Sequence, residues 1–336
     1  MHLETPEQVE AAIERFGADV GRVREQVGRV IVGQREVVDA VLAALMCDGH
    51  VLLEGVPGLG KTLLVRTLAE VLELEFARVQ FTPDLMPADI TGTTVVHEVG
   101  GTREFRFERG PVFTQLLLAD EINRATPKTQ SALLEAMQER SVTAGGETHE
   151  LPRPFLVMAT QNPIEQEGTY PLPEAQLDRF LMKVVVPGVS REELGEILDR
   201  TTGGEAIEPE RVLGAEEVIG YQRLVRRCAI AEHVRDYAVR LVLATQPGSR
   251  FASPMVEKYV SFGASPRGAQ ALVLAGKCLA LLGGRATASM DDIRSMAREC
   301  LRHRVLMNFD AQAEGVSSDD VVENLLETVP REVDGL

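Results

Sequence analysis

Eight consecutive residues, Gly55-Val56-Pro57-Gly58-Leu59-Gly60-Lys61-Thr62, carry glycines, a lysine and a hydroxyl in the spacing GxxxxGK[ST]. That spacing suits phosphate capture. The glycines let backbone N–H groups turn inward around phosphate oxygens. Lys61 can neutralise β- and γ-phosphate charge, and the Thr62 hydroxyl can ligate Mg²⁺. A helix starting at Lys61 turns its positive end toward the same oxygens, and Leu63 in its first turn belongs with the nucleotide-contacting run. The bland alternative is a chance glycine-rich turn. An apolar run before the loop (His50-Val51-Leu52-Leu53-Glu54) and a helical pattern after it favour the phosphate reading.

A second run, Leu116-Leu117-Leu118-Ala119-Asp120-Glu121, is an apolar strand ending in two acids. Such an ending is costly unless the charges meet a cation or hydrogen-bond donors. Asp120 is placed to hold Mg²⁺ through its water shell, and Glu121 to orient or deprotonate an attacking water. Alone, the pair reads as a solvated strand end. Beside a phosphate loop it reads as the hydrolytic half of a Mg-dependent ATP hydrolase. A third apolar run, 155–159, leads into Thr160-Gln161-Asn162. Asn162 then ends a core strand on the edge where open α/β sheets bind ligands, and could position the water. From spacing alone, an Asn turn before Pro163 is equally compatible.

These residues need a scaffold, and the pattern predicts one. Helical spacing covers 7–30, with Val9, Ile13, Phe16, Val20, Val23 and Val27 recurring on one side, and then 34–47. Strands are expected at 50–54, 76–81, 116–119, 155–159 and 181–186, with helices at 61–72 and 129–138. That alternation predicts a parallel five-stranded sheet flanked by helices. Two segments interrupt it as β-hairpins: 93–107 about Gly100-Gly101, and 141–151 about Gly145-Gly146. After Pro187-Gly188 the chain reads as helical, at 190–201, 215–227, 231–245, 265–282 and 289–306, with a tail helix at 318–328. An α/β domain over 1–188, with 1–29 as an N-terminal helical extension, is therefore expected to precede an all-α domain over 189–336.

Bulk composition narrows the partners. Lys and Arg number 35 against 51 Asp and Glu, a net charge of −16, which repels nucleic-acid backbones at long range. The four cysteines, Cys47, Cys228, Cys278 and Cys300, form no CxxC and read as reduced thiols. The six histidines show no HExxH, so no metal site built from protein ligands alone is expected. The N-terminus lacks the basic start and apolar run of a signal peptide, and no apolar stretch reaches the ~18 residues of a membrane span. The expectation is a cytoplasmic protein.

Taken together the motifs resemble the AAA+ ATPases, and within them the MoxR family. The resemblance is carried by Asp120-Glu121-Ile122-Asn123-Arg124-Ala125 with Lys128-Thr129-Gln130-Ser131-Ala132-Leu133-Leu134-Glu135-Ala136-Met137. It is carried also by Phe81-Thr82-Pro83-Asp84-Leu85-Met86-Pro87-Ala88-Asp89-Ile90-Thr91-Gly92 and by Ala159-Thr160-Gln161-Asn162-Pro163. It spans roughly residues 30–310. It implies a sheet order of 5-1-4-3-2, Asn162 as sensor 1, and a lid formed by the helical domain. The first hairpin corresponds to the helix-2 insert, the second to the hairpin before sensor 1. Ile31-Val32-Gly33-Gln34 resembles the segment that packs against adenine, which adds Val32 and Gly33 to the nucleotide contacts.

The same resemblance makes Arg179, in Leu177-Asp178-Arg179-Phe180, the arginine finger that reaches a neighbouring subunit's γ-phosphate, an effect of order 10³–10⁵ in rate in other NTPases. Otherwise Arg179 is a surface arginine paired with Asp178 or Glu174. Arg267, in Ser265-Pro266-Arg267, matches sensor 2. Ser265 reads as an N-cap and Pro266 as a first helical residue, so the cation sits at the positive end of a helix, which a nearby γ-phosphate would offset. Otherwise it simply faces solvent. Arg124 could face a subunit interface or pair with Glu121.

The implied cofactors are ATP and Mg²⁺. The implied partners are copies of itself in a ring, usually a hexamer, a separate von Willebrand factor A (VWA) domain protein, and a client protein to be remodelled, matured or loaded with a metal cofactor. Two other functions compete. A nucleic-acid motor would want basic, aromatic-lined hairpins, whereas Arg103, Arg106 and Arg109 are interleaved with Glu98, Glu104 and Glu108. An ATP-gated scaffold with negligible turnover would not need Glu121.

Overall fold

A computed structural model describes residues 5–99, 102–162, 168–203 and 207–331. The chain opens with α1 (Pro6–Val30), whose start is set by Thr5: its side chain accepts from the Gln8 N–H while Pro6 occupies the first turn. Then follow α2 (Arg35–Met46), β1 (Val51–Glu54), α3 (Lys61–Val71), β2 (Phe76–Gln80) and α4 (Pro87–Thr91). The first hairpin is β3 (Gly92–Val99) with β4 (Thr102–Arg109). After β5 (Leu116–Asp120) and α5 (Pro127–Glu139) comes the second, β6 (Ser141–Ala144) with β7 (Glu147–Glu150). The α/β part closes with β8 (Leu156–Gln161), α6 (Glu174–Leu177) and β9 (Met182–Val185).

Five strands pair in the order β2-β5-β8-β1-β9, all parallel. Counting only these five along the chain gives 5-1-4-3-2, as the resemblance implied. Parallel pairing puts every strand's C-terminal end on one edge, so Glu54, Gln80, Asp120 and Gln161 lie along a single rim. The apolar runs are unbroken because both faces of the sheet are covered. Leu116, Leu118, Leu156 and Met158 join a core with α1, α2 and α3; Leu117, Ala119, Val157 and Ala159 join another with Leu133, Leu134 and Met137 of α5.

Both hairpins form. Gly145 and Gly146 have φ of 60° and 86°, as a two-residue turn that follows the strand twist requires. The Gly100-Gly101 turn expected for the other hairpin lies outside the described residues. The hairpins lean together: the Phe107 ring stacks on His149 with centroids 4.2 Å apart.

Beyond Pro187 the chain is the expected helical lid: α7 (Arg191–Thr202), α8 (Ala215–Arg227), α9 (Glu232–Ala244), α10 (Pro254–Tyr259), α11 (Pro266–Leu282), α12 (Met290–Ser295), α13 (Ala297–Leu301), α14 (Phe309–Glu314) and α15 (Ser318–Thr328). Two small ladders tie it: β10 (Ala229–Ile230) with β12 (Thr287–Ala288), and β11 (Val260–Phe262) with β13 (Leu306–Met307). The single helix expected over 289–306 is instead two. Met296, at φ −106° and ψ 6°, separates α12 from α13. Here tertiary anchors override helical propensity: Arg294 is fixed to the Tyr237 hydroxyl and the Leu326 carbonyl, and Arg304 is drawn into the α/β core. Packing does not stop at residue 188. The core around α1 and α2 runs on into α8 and α11, with Phe16 edge-on to Tyr221 at 5.0 Å. Among the described residues no helix is long and apolar enough to cross a membrane.

Candidate functional site

β1 delivers the chain into the loop 55–60, and Gly60 caps α3 with φ 73° and ψ 12°. Gly58 also has positive φ, 85°, and nothing lies within 4 Å of where a Cβ would stand on either glycine, so the loop is open above. The first N–H groups of α3 have no partners within the helix and point into that opening. Lys61 folds back over its own loop, donating to the Gly55 carbonyl at 2.5 Å and the Val56 carbonyl at 3.1 Å. Burial lowers the pKa of this ammonium, while Asp120 and Glu121 act to raise it.

Above the loop is a cavity of about 450 Å³ lined by Pro57, Gly58, Gly60, Lys61, Thr62 and Leu63 on one side. The other side carries Asp120, Glu121 and Asn162 from the ends of β5 and β8, so three separate segments converge there. Helix N–H groups, an ammonium, a hydroxyl and a carboxylate at one opening are the donor set that a nucleoside triphosphate and Mg²⁺ fit.

The acids are closely held. Thr160 Oγ donates to Asp120 Oδ1 at 2.6 Å and accepts the Glu121 N–H at 2.8 Å, which ties β8 to both. Asp120 Oδ2 accepts from Arg78 Nη2 at 2.7 Å and from its Nε at 3.2 Å. Glu121 Oε2 accepts from Gln80 Nε2 at 2.7 Å and Arg124 Nη1 at 3.0 Å, so of the two placements open for Arg124 the structure has the pair with Glu121. Glu121 itself has φ 54° and ψ 50°, a left-handed conformation costly for a glutamate and shared with Gln34, Asp48, Glu73 and Arg140.

Arg78, Gln80 and Thr160 received no role from the sequence. A signal for the first two was present: Arg78 and Gln80 are two apart, hence on the same side of a strand, and they end the strand paired with β5.

Other expected residues lie elsewhere. The Gly55 and Val56 carbonyls serve Lys61. The Leu59 carbonyl accepts from Gln34 Nε2 at 2.7 Å, linking the loop to the 31–34 segment. Val32 and Gly33 line a different cavity of about 590 Å³, between α1 and α7. Arg179 and Arg267 are absent from the lining of the phosphate-loop cavity and share a third, of about 240 Å³, with Asp48, Asp178, Arg226 and Arg140. Neither alternative reading of Arg179 as an ion-paired arginine is seen among the described residues: it donates to the Leu134 carbonyl at 2.6 Å, and Asp178 is taken by Arg304. The guanidinium of Arg267 has no partner among the described residues, and Ser265 caps its helix as expected.

Comparison with known proteins places the chain in a family. Residues 50–182 match the family described as ATPase family associated with various cellular activities (AAA), and 253–325 match the AAA lid domain. The chain is 46% identical to Chaperone MoxR1 of Mycobacterium tuberculosis, over 90% of this chain and 80% of that protein. It is 44% identical to the uncharacterized protein YeaC of Bacillus subtilis, over 92% and 94%, and 32% identical to Protein MoxR of Methylorubrum extorquens, again over 92% and 94%. A crystal structure of a protein from Cytophaga hutchinsonii superposes with a TM-score of 0.90 at 39% identity, covering 96% of this chain and 98% of that one.

Proposed function

Because the chain belongs to the MoxR family of AAA+ ATPases, we propose that it hydrolyses ATP with Mg²⁺ at the interfaces of a ring, typically six-membered, and uses the cycle to remodel a client protein. The observation that carries this reading is the pairing of Arg179 and Arg267 in a cavity apart from the chain's own phosphate loop. Two cations without carboxylate partners among the described residues form half of an anion site. A neighbour's γ-phosphate completes it, so both the finger and sensor 2 act on the adjacent subunit.

Within one chain, Lys61 and the loop N–H groups bind the phosphates, and Thr62 and Asp120 hold the metal. Mg²⁺, when bound, offsets charge on the β- and γ-phosphates. Glu121 and Asn162 orient the attacking water, and Val32 and Gly33 border the base. The lid, 189–336, moves against the α/β core, 1–188, and the hairpins carry that motion outward. The name of the Mycobacterium relative supports a chaperone-like role. A VWA-domain protein as separate partner, maturation or metal insertion in the client, and a cytoplasmic setting complete the proposal. The hairpins favour protein over nucleic acid: across the first, Glu98 faces Arg103 and His97 faces Glu104, which leaves no basic track.

Subunit mixing tests it. Glu121→Gln and Arg179→Ala chains, each alone, bind ATP but turn over less than about one hundredth as fast as wild type. Mixed, they recover activity, because some interfaces then combine an intact Glu121 with an intact Arg179. An active Arg179→Ala protein, or a mixture with no recovery, rejects the shared site. DNA-stimulated turnover would point to a motor instead.

A further inference from the structure

Two side chains of β2 grip Asp120, the last residue of β5, and Glu121, which follows it, and are themselves joined. Arg78 directs Nη2 and Nε at Asp120 Oδ2, and Nη2 also lies 2.8 Å from Gln80 Oε1. The Gln80 amide, turned by that contact, presents Nε2 to Glu121 Oε2 at 2.7 Å. The result is one polar chain, Asp120–Arg78–Gln80–Glu121, running across a strand pair in which Gln80 stands opposite Asp120.

An ionised carboxylate offers about four acceptor positions. On Asp120, Oδ2 takes two donors from Arg78 and Oδ1 takes one from Thr160, so about one remains. A hydrated divalent cation at Thr62 and Asp120 needs acceptors for its water hydrogens, and its charge repels a guanidinium on the same carboxylate. Arg78 can yield: its side chain is 46% exposed, against 13% for Asp120. Its strand is one of the two edges of the sheet, paired among the described residues with β5 alone. When Arg78 leaves, Gln80 Oε1 loses its donor and the amide loses its bias toward Glu121.

We propose that Arg78 is a metal-sensing positioning residue: it occupies Asp120 until the cation arrives, and its displacement loosens Gln80 from Glu121, which leaves Arg124 as the donor on the water-activating acid. This rests on the reading given above and adds a regulatory step to the same site. Residue 80 also leads through Phe81 into α4 and the first hairpin, so Gln80 is continuous in the chain with the element proposed to carry motion outward.

The test titrates Mg²⁺ against full-length protein with a fluorescent non-hydrolysable ATP analogue and reads binding rather than turnover. Arg78→Met is expected to lower the half-saturating Mg²⁺ concentration by about 3- to 10-fold, the effect of removing one partly screened like charge beside the ion. Arg78→Lys, which keeps the charge, stays within about twofold of wild type. An unchanged half-saturation in Arg78→Met overturns the proposal. So does analogue binding weakened equally at every Mg²⁺ concentration, including in chelator, which would make Arg78 a phosphate ligand. Thr62→Ala separates the two levels. If it titrates like wild type, the assignment of the metal to Thr62 and Asp120 has failed, whatever Arg78 does.

Discussion

Arg304 of the lid is paired with Asp178 of the α/β core at 2.8 Å, directly beside Arg179 in the chain. Its remaining N–H groups reach the carbonyls of Asp178, Phe180, Leu181 and Cys300, so all five donors of the guanidinium are used. The other oxygen of Asp178 accepts the Ser265 hydroxyl at 2.7 Å, two residues before Arg267. One carboxylate thus pins the backbones that present Arg179 and Arg267. Arg304→Met is expected to destabilise the protein by about 3–5 kcal/mol, the usual result of removing one partner of a buried pair. Arg304→Lys should recover little, because an ammonium cannot fill a five-donor fork. Urea unfolding of both variants measures this, and a loss under about 1 kcal/mol for Arg304→Met would dismiss the anchor.

Gln80→Leu removes one of two donors on Glu121 Oε2 and leaves Arg124 in place. Basal turnover without a client should rise by about 3- to 10-fold, the kinetic equivalent of losing a ground-state hydrogen bond to a partly exposed charge. Steady-state phosphate release measures it. A fall instead would mean that Gln80 orients Glu121 for catalysis rather than restraining it.

Stability should fall on mild acidification. His50 is buried, with Nδ1 accepting the Val157 N–H at 3.0 Å and Nε2 facing the Met137 carbonyl at 3.2 Å. Burial pushes its pKa down to about 3, with Arg140 adding to the effect. The folded pKa is below the unfolded value of about 6.5, so the unfolded chain binds the extra proton. The stabilisation is therefore complete above about pH 6.5 and is lost as pH falls toward 3. Between pH 6.5 and 5 this histidine contributes on the order of 2 kcal/mol of that loss. His303, also buried, with its pKa lowered by burial, works in the same direction. Urea midpoints across this range should shift less in His50→Gln than in wild type; equal slopes would show that His50 does not contribute.

Phe16→Ala tests whether α1 is structural. Phe16 is fully buried against Tyr221, whose hydroxyl bonds to Asp19 of the same helix. The substitution should cost about 3–5 kcal/mol, as for other buried phenylalanines. Because Tyr221 belongs to the lid, it should also loosen lid from core, seen as faster amide exchange in α8. A cost below about 1 kcal/mol would make α1 an appendage.

Much of this protein was legible in its residues. Gly55 to Thr62, Asp120-Glu121 and the five apolar runs are local patterns whose geometry follows from chain stereochemistry, so the sheet, the hairpins and the phosphate loop could be drawn from the sequence. The left-handed glycines, the cap at Ser265 and the acids ending β5 belong to the same class. Tertiary structure alone decided what depends on distant segments meeting. It put Arg179 and Arg267, 88 residues apart, into one cavity away from Lys61. It set Arg78 and Gln80 against Asp120 and Glu121 across a strand pair formed 40 residues later in the chain. It broke the helix at Met296 because Arg294 and Arg304 found partners elsewhere. It made α1, unreadable beyond its apolar stripe, a bridge between core and lid. Residue type and spacing state which groups a chain can offer, but packing free energy decides which of them meet, and that sum runs over the whole chain.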